Sequence, residues 1–386
     1  MGAAAYLRIG IDAHSIGTGL GGNETYATNL IEALAEIDSH NEYTLYVTKR
    51  SAVDRYQNRW PNFLVRQTLP HSPLVRIPLT LSAELRRRPV DLLHVQYTAP
   101  PFSPCPIVST IHDLAFEHLP QTFNRRSWMQ LRFTVRRTAK KAAQIITVSE
   151  YSKCDIVETY GIPAERITVT HEAAPSNFGP IENEKELRLV RQTYGIEGDY
   201  ILSVGSIQPR KNLSRLLAAY SRLRSTRAEG KLPQLVIVGK CAWLFEETLR
   251  TIKELQFGRS VIQTGYVPET DLPALYSGAV CFVYPSYFEG FGLPPLEAMK
   301  CGTPVIAGNR TSLPEVVGDA GVLVDPFEVD SIAAAIEKVI GDSDLRLKLR
   351  VKGLERAQLF DWRQTARQTL AVYMKSAGLK DESLSS

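Results

Sequence analysis

At 386 residues, with 44% hydrophobic and 22% charged residues, the chain reads as a globular protein long enough for two domains of ordinary size. A formal net charge of +4 is too small to argue a nucleic-acid partner, and no apolar run reaches the ~18 residues needed to cross a bilayer. The N-terminus lacks the apolar core of a signal peptide, and the five cysteines (Cys105, Cys154, Cys241, Cys281, Cys301) form no Cys-x-x-Cys pair, so a reduced cytosolic chain is expected rather than a disulfide or zinc framework.

The first predicted elements are a strand over 6–12, the run Gly17-Thr18-Gly19-Leu20-Gly21-Gly22, a helix over 24–37 and a strand over 43–47. The glycines satisfy Gly-x-Gly-x-x-Gly, which between a strand and a helix suggests a dinucleotide fold. The acidic residue that would hold a ribose after the second strand is missing, and Lys49 and Arg50 stand there instead. That leaves open an NADP-dependent oxidoreductase with one of these cations on the 2′-phosphate. A helix near 79–88 and strands over 91–95 and 106–110 follow, the last running into Ile111-His112-Asp113-Leu114. His112 thus lies just past a strand end, a favoured place for a functional side chain, where a histidine can equally be a hydrogen-bonded strand cap.

From 124 to 141 the chain holds Arg125, Arg126, Arg132, Arg136, Arg137, Lys140 and Lys141 without one acidic residue, interleaved with Trp128, Leu131, Phe133 and Val135. Such a helix can lie on an anionic membrane or bind a phosphorylated acceptor, or it can be solvated with its apolar side on the sheet. A strand over 144–148, a helix over 150–160 capped by Ser149 and a strand over 166–170 complete this half. The stretch from 171 to about 187, with two prolines and Gly179, reads as a linker.

The second half restarts in the same way. A strand over 200–204 leads into Gly205-Ser206-Ile207-Gln208-Pro209-Arg210-Lys211-Asn212 and a helix over 213–223. A phosphate between that strand and helix would meet both cations and the helix dipole, although exposed basic pairs are more often simply solvated. Strands over 234–238 and 261–264 end at Gly239-Lys240 and Gly265-Tyr266-Val267-Pro268, with a helix over 271–276. An apolar run over 279–284 reads as a buried parallel strand and opens into Pro285-Ser286-Tyr287-Phe288-Glu289-Gly290-Phe291-Gly292-Leu293-Pro294-Pro295-Leu296-Glu297. Glu289 sits in a glycine-flanked loop there. The prolines suit a helix start, and Glu297 falls in that helix's first or second turn, before Gly302 and Pro304 stop it. Either glutamate alone is ordinary; together they border the crevice where open α/β sheets bind ligands. Gly290 and Gly292 let backbone amides approach an anionic, hydroxyl-rich ligand. A strand over 304–307, a helix over 311–316, a hairpin-like 321–324 and a last helix over 361–376 follow. Asp342-Ser343-Asp344 mimics an Asp-x-Asp metal motif, but between two helices turn and N-cap duty explain it.

The Glu-x7-Glu spacing in a Glu-Gly-Phe-Gly-Leu-Pro setting resembles the signature of retaining glycosyltransferases of family 4, which have the GT-B fold. The resemblance runs from Ile9 to about Ala377 and is strongest between Ser203 and Pro326. It implies an α/β protein of two Rossmann-like domains facing an interdomain cleft. The acceptor domain would span 1–178, joined by a C-terminal helix at 362–386, and the nucleotide-sugar domain 179–361. The implied reaction moves a hexosyl group from a nucleoside-diphosphate sugar to a hydroxyl of a glycan or lipid-linked acceptor, with retention and without metal or cofactor. In that scheme His112 and Glu289 hold the donor sugar, Arg210 and Lys211 clamp the diphosphate, and Glu297 accepts from the ribose hydroxyls. Gly21, Gly22, Ser206, Lys240, Val267 and the backbone of Gly290, Phe291, Gly292 and Leu293 complete the donor contacts.

Two departures from the family pattern matter. Where the family often has Gly-Arg this chain has Gly205-Ser206, so the clamp falls to Arg210 and Lys211 together. Where it often has an Asn-Gly-Val-Asp type sequence this chain reads His171-Glu172-Ala173-Ala174, which leaves the cleft contact usual for that stretch unassigned. Lys240-Cys241-Ala242-Trp243 and Pro209-Arg210-Lys211-Asn212 look like bacterial polysaccharide mannosyltransferases, which favours GDP-mannose over a UDP-linked donor. The expected location is cytoplasmic, or peripheral on the inner face of the membrane. A sugar-nucleotide-binding module without catalysis is the remaining alternative.

Overall fold

The computed structural model describes residues 6–19, 21–227, 232–242 and 245–379. Leu20 of the glycine run, Trp243 and the segment 380–386 lie outside them. The chain forms two compact units. One comprises the described parts of Met1–His118, Arg125–Glu172 and Asp361–Ser386; the other comprises Leu119–Asn124 and those of Ala173–Phe360.

The first unit is built on seven parallel strands in the order β3-β2-β1-β4-β5-β6-β7. These are β1 (Arg8–Asp12), β2 (Glu42–Val47), β3 (Phe63–Gln67), β4 (Leu92–Gln96), β5 (Ile107–Thr110), β6 (Gln144–Thr147) and β7 (Ile167–Val169). β4, β5 and β6 are buried along their whole length, as strands of a parallel sheet covered on both faces must be. Helix α1 (Gly22–Ile37) turns Leu30, Ile31 and Leu34 inward behind Gly21, which takes a left-handed φ of 70°. The helical stretch expected near 79–88 starts at Pro73 and contains a π-helical segment, Arg76–Leu81. That segment aims the fully buried Arg76 at Asp12, with both guanidinium contacts at 2.9 Å. Helix α2 (Arg125–Lys141) buries only Val135, Thr138 and Ala139, so a narrow stripe seats it while Met129 and Phe133 stay outside among the cations. Helix α3 (Glu150–Tyr160) is capped by Ser149, whose side chain accepts from Ser152 N. The C-terminal helix Trp362–Ser376 closes this unit: the Trp362 ring lies 6.0 Å from that of Tyr26, and Tyr373 Oη lies 2.6 Å from His94 Nδ1.

The second unit has six parallel strands in the order β10-β9-β8-β11-β12-β13. They are β8 (Tyr200–Val204), β9 (Gln234–Val238), β10 (Val261–Gly265), β11 (Cys281–Tyr284), β12 (Val305–Gly308) and β13 (Gly321–Val324). The hairpin-like expectation for 321–324 is corrected: β13 lies parallel to β12, with Gly321 beside Val305, because helix Leu313–Val317 carries the chain back before it pairs. The apparent linker is corrected as well, since helix Glu184–Thr193 begins inside it with Asn183 as its cap. Helices α4 (Leu213–Ser225) and α5 (Leu293–Lys300) flank this sheet, and Leu216, Leu217, Ile237, Val283 and Ile306 share its core. Asp342 caps helix Ser343–Ala357, accepting from Leu345 N at 2.9 Å. No helix among the described residues is long and apolar enough to cross a membrane.

Candidate active site

In the second unit the strand order reverses between β8 and β11, the position where open α/β sheets leave a crevice at their carboxyl edge. Gly205 follows β8, and a side chain on Gly239 after β9 would overlap the Gly205 carbonyl oxygen, so the two loops pass backbone to backbone. The turn Pro209–Lys211 then delivers its cations to one carboxylate. Arg210 Nη1 donates to Glu289 Oε2 at 2.8 Å, and Lys211 Nζ to Oε1 at 2.6 Å. Oε1 also accepts from Tyr284 Oη at 2.9 Å and from Ser286 Oγ at 2.6 Å, while Lys211 bonds the Tyr284 hydroxyl.

Glu289 is buried, only 6% exposed. Burial by itself pushes a carboxyl up. Here the fields of Arg210 and Lys211, with hydrogen bonds from Lys211 and Ser286, outweigh it and hold Glu289 at about 2. Its backbone is fixed too, with N donating to Thr311 Oγ1 at 3.0 Å and O accepting from Ser312 Oγ at 2.9 Å. Sequence reasoning gave the glutamate and the two cations separate duties; the structure joins them in one buried ion cluster.

Gly292 opens α5 at a φ of 119°, and a Cβ there would stand 2.8 Å from Leu313 Cδ2. Glu297, half-buried in the second turn, accepts from Tyr276 Oη at 2.8 Å. Phe291 and Leu293 are buried, the Phe291 ring packing edge-on against Phe360 at 5.5 Å, so only backbone at Gly290–Leu293 can meet a ligand. The start of α5 is a weaker anion site than expected. Pro294 and Pro295 have no amide hydrogen, and Leu296 N already bonds Gly292 O at 3.3 Å. Half-buried Ser206 follows β8, exposed Lys240 follows β9 with Nζ 4.3 Å over the Tyr266 ring, and buried Val267 follows β10, all on the same sheet edge.

In the first unit His112 is buried just past β5. Its Nδ1 lies 3.2 Å from Glu172 Oε1, and its Nε2 lies 3.0 Å from Gln96 Oε1. Ser152 Oγ donates to the His112 carbonyl at 3.0 Å, tying it to α3. The rings of Tyr26 and Tyr97 approach at 4.7 and 5.6 Å. Tyr97 holds a φ of 60°, strain of the kind that collects at functional sites. Sequence reasoning missed Glu172. An acid in an unmatched stretch was the sole sign, and its partner lies far away in the chain. Beneath this layer His94 bonds Thr110 Oγ1 at 2.7 Å as well as Tyr373, and desolvation, joined by the nearby His112, lowers it to about 3.

The glycine loop holds an anion of its own. Glu24 on α1 turns back so that its carboxylate accepts from Gly17 N at 2.7 Å and Gly19 N at 2.6 Å. The amides a dinucleotide pyrophosphate would need are thus engaged, which removes the physical basis of the NADP reading. Gly21 and Gly22 border open space, since a Cβ on either would meet nothing within 4 Å.

Two family models match successive parts of the chain, Glycosyltransferase Family 4 over residues 20–174 and Glycosyl transferases group 1 over residues 190–356. The O-antigen chain mannosyltransferase B of Escherichia coli is 37% identical over 267 residues, 69% of this chain and 69% of that one. The serotype-specific mannosyltransferase WbdA of Escherichia coli is 33% identical over 229 residues, which are 59% of this chain but 28% of that longer one. Sucrose-phosphate synthase from Thermosynechococcus elongatus matches with a TM-score of 0.76 at 21% identity, over 96% of this chain and 98% of that one, a likeness of fold alone. With two parallel-sheet units, both family models and a relative this similar along most of its length, the chain belongs to the family 4 glycosyltransferases of GT-B fold.

Proposed function

We propose that this glycosyltransferase moves a mannosyl group from GDP-mannose to a hydroxyl of a glycan carried on a lipid phosphate, with retained configuration and without a metal. The observation that carries the reading is the buried cluster of Glu289, Arg210 and Lys211. Arg210 and Lys211 are held by Glu289 at the carboxyl edge of the sheet. Charge growing on the β-phosphate as the C1–O bond breaks would be stabilised by groups already fixed in place. Glu297 is assigned to the ribose hydroxyls. Ser206, Lys240 and the backbone at Val267 and Gly290–Leu293 are assigned to the rest of the donor, with Gly21 and Gly22 on its phosphates. His112, aligned by Glu172 and Gln96, is assigned to the mannosyl group.

Glu289 is a poor nucleophile, because its charge is shared among hydrogen bonds from Arg210, Lys211, Tyr284 and Ser286. Front-side displacement is therefore favoured. The acceptor oxygen bonds C1 on the face from which the diphosphate leaves with the bonding electrons, and the acceptor proton passes to a β-phosphate oxygen. Mannose as the sugar follows from the mannosyltransferases among the relatives. The cationic outer face of α2 supports a seat on the anionic inner face of the membrane. The test incubates purified protein with GDP-mannose or UDP-glucose and a lipid-linked glycan, with and without excess chelator, and reads the product anomer by NMR. The expected outcome is an α-mannosyl product from GDP-mannose at full rate in chelator. A β-linked product, or a rate that only manganese restores, overturns the reading.

A further inference from the structure

The first unit contains a cavity that none of the groups assigned above uses. It lies between α2, the helical stretch 73–81 and the turn after β4, encloses about 190 Å³, and is lined by Leu74, Ile77, Pro78, Ala99, Pro101 and Phe133. The threonine hydroxyls on its wall are already engaged. Thr98 Oγ1 lies 3.0 Å from Thr134 Oγ1, which donates to Gln130 O at 2.8 Å; Thr138 Oγ1 donates to Thr134 O at 2.8 Å and accepts from Ala99 N at 3.0 Å. A cavity water needs about two to four polar partners, and this wall has few to give. Its chemistry suits hydrocarbon.

Two side chains at the rim break that pattern. Arg137 and Lys141, one turn apart on α2, are exposed, and among the described residues neither pairs with a carboxylate. Beside them Leu74 is 52% and Phe133 68% exposed. Hydrocarbon within, an apolar collar and two cations at the mouth together complement a chain with an anionic head.

We infer that this cavity seats the hydrocarbon chain of a lipid phosphate, with the phosphate between Arg137 and Lys141, and that it holds the lipid end of the acceptor. The acceptor role rests on the proposed glycan transfer; the binding does not. The position fits an anchor rather than a transfer site. The cationic mouth lies where α2 ends just before β6, at that strand's amino end, while the wall at 98–101 follows the carboxyl end of β4 and His112 that of β5. The lipid phosphate would sit toward the amino ends of the strands while the glycan extends along the sheet towards His112.

The test is calorimetric titration of the full chain with single-chain alkyl phosphates of increasing length, each below its micelle concentration. Inorganic phosphate and an alkyl maltoside serve as the other arms. Inorganic phosphate should bind weakly. Each added methylene should raise affinity about fourfold, levelling once roughly six are seated. Arg137→Gln combined with Lys141→Gln should weaken the alkyl phosphates about tenfold and spare the maltoside. Leu74→Glu, at an exposed position that does not threaten folding, should weaken both. The proposal falls if chain length has no effect, which marks a site for free phosphate. It falls equally if affinity keeps rising without levelling, which marks partition onto a lipid surface, or if wild type binds no alkyl phosphate. No donor enters these titrations, so failure of the transferase reading would leave their outcome unchanged.

Discussion

Replacing Glu289 with Gln leaves Arg210 and Lys211 without their buried counter-charge, a break that costs about 3–5 kcal/mol. It also frees both cations for an outside anion. The variant should therefore melt earlier and lose turnover, yet bind GDP at least as tightly as wild type. Calorimetry with GDP checks this, and weaker binding by the folded variant would refute the shared-cation account. Glu297→Ala should do the reverse, losing about 1.5–3 kcal/mol of GDP affinity for each charge-assisted hydrogen bond, with a smaller effect on melting. His94 sets a pH dependence. Its folded value of about 3 lies below the ordinary value of 6.5, so the unfolded chain binds the extra proton between the two. Stability is fully present above pH 6.5 and falls as pH drops, by about 2 kcal/mol between pH 6.5 and 4.5 at up to ~1.4 kcal/mol per unit. Chemical denaturation across that window should show the slope, and His94→Gln should flatten it.

At the scale of elements, Asp342→Ala should cost about 1 kcal/mol, because Leu345 N loses its cap, and should leave activity in chelator untouched. A larger loss of activity than of stability would show that the aspartate does more than open a helix. That cap was legible in the sequence because capping is local. So were most strands of both sheets, as buried apolar runs that in the second sheet mostly end at glycine or proline. β3 was not legible: it lies on the sheet edge, where Leu64 is half-exposed, and its apolar run Phe63-Leu64-Val65 stops after three residues at Arg66. The π-helical turn at Arg76–Leu81 was hidden too, since burying an arginine there depends on Asp12, far back in the chain. The site divides in the same way. Glu289, Glu297, Arg210 and Lys211 were visible as types at strand ends, where chain order places them. The convergence of Arg210 and Lys211 on the Glu289 carboxylate, and the Glu172–His112 pair, exist only in three dimensions.

At the scale of the whole molecule, the C-terminal helix completes the first unit. Tyr373→Phe should remove the partner of His94 Nδ1 and cost about 1–3 kcal/mol, with GDP affinity unchanged because the nucleotide is assigned to the second unit. A thermal melt beside a GDP titration separates the two effects, and loss of GDP affinity would count against that assignment. The same connectivity governs how the chain is made. Nearly the whole second unit, Ala173–Phe360, is synthesised before Asp361 leaves the ribosome. A nascent chain can therefore finish its second unit while the sheet around His94 and Tyr26 still lacks Trp362 and Tyr373. Of the two units the one that begins first closes last, and until Trp362–Ser376 has emerged its apolar interior depends on protection from aggregation.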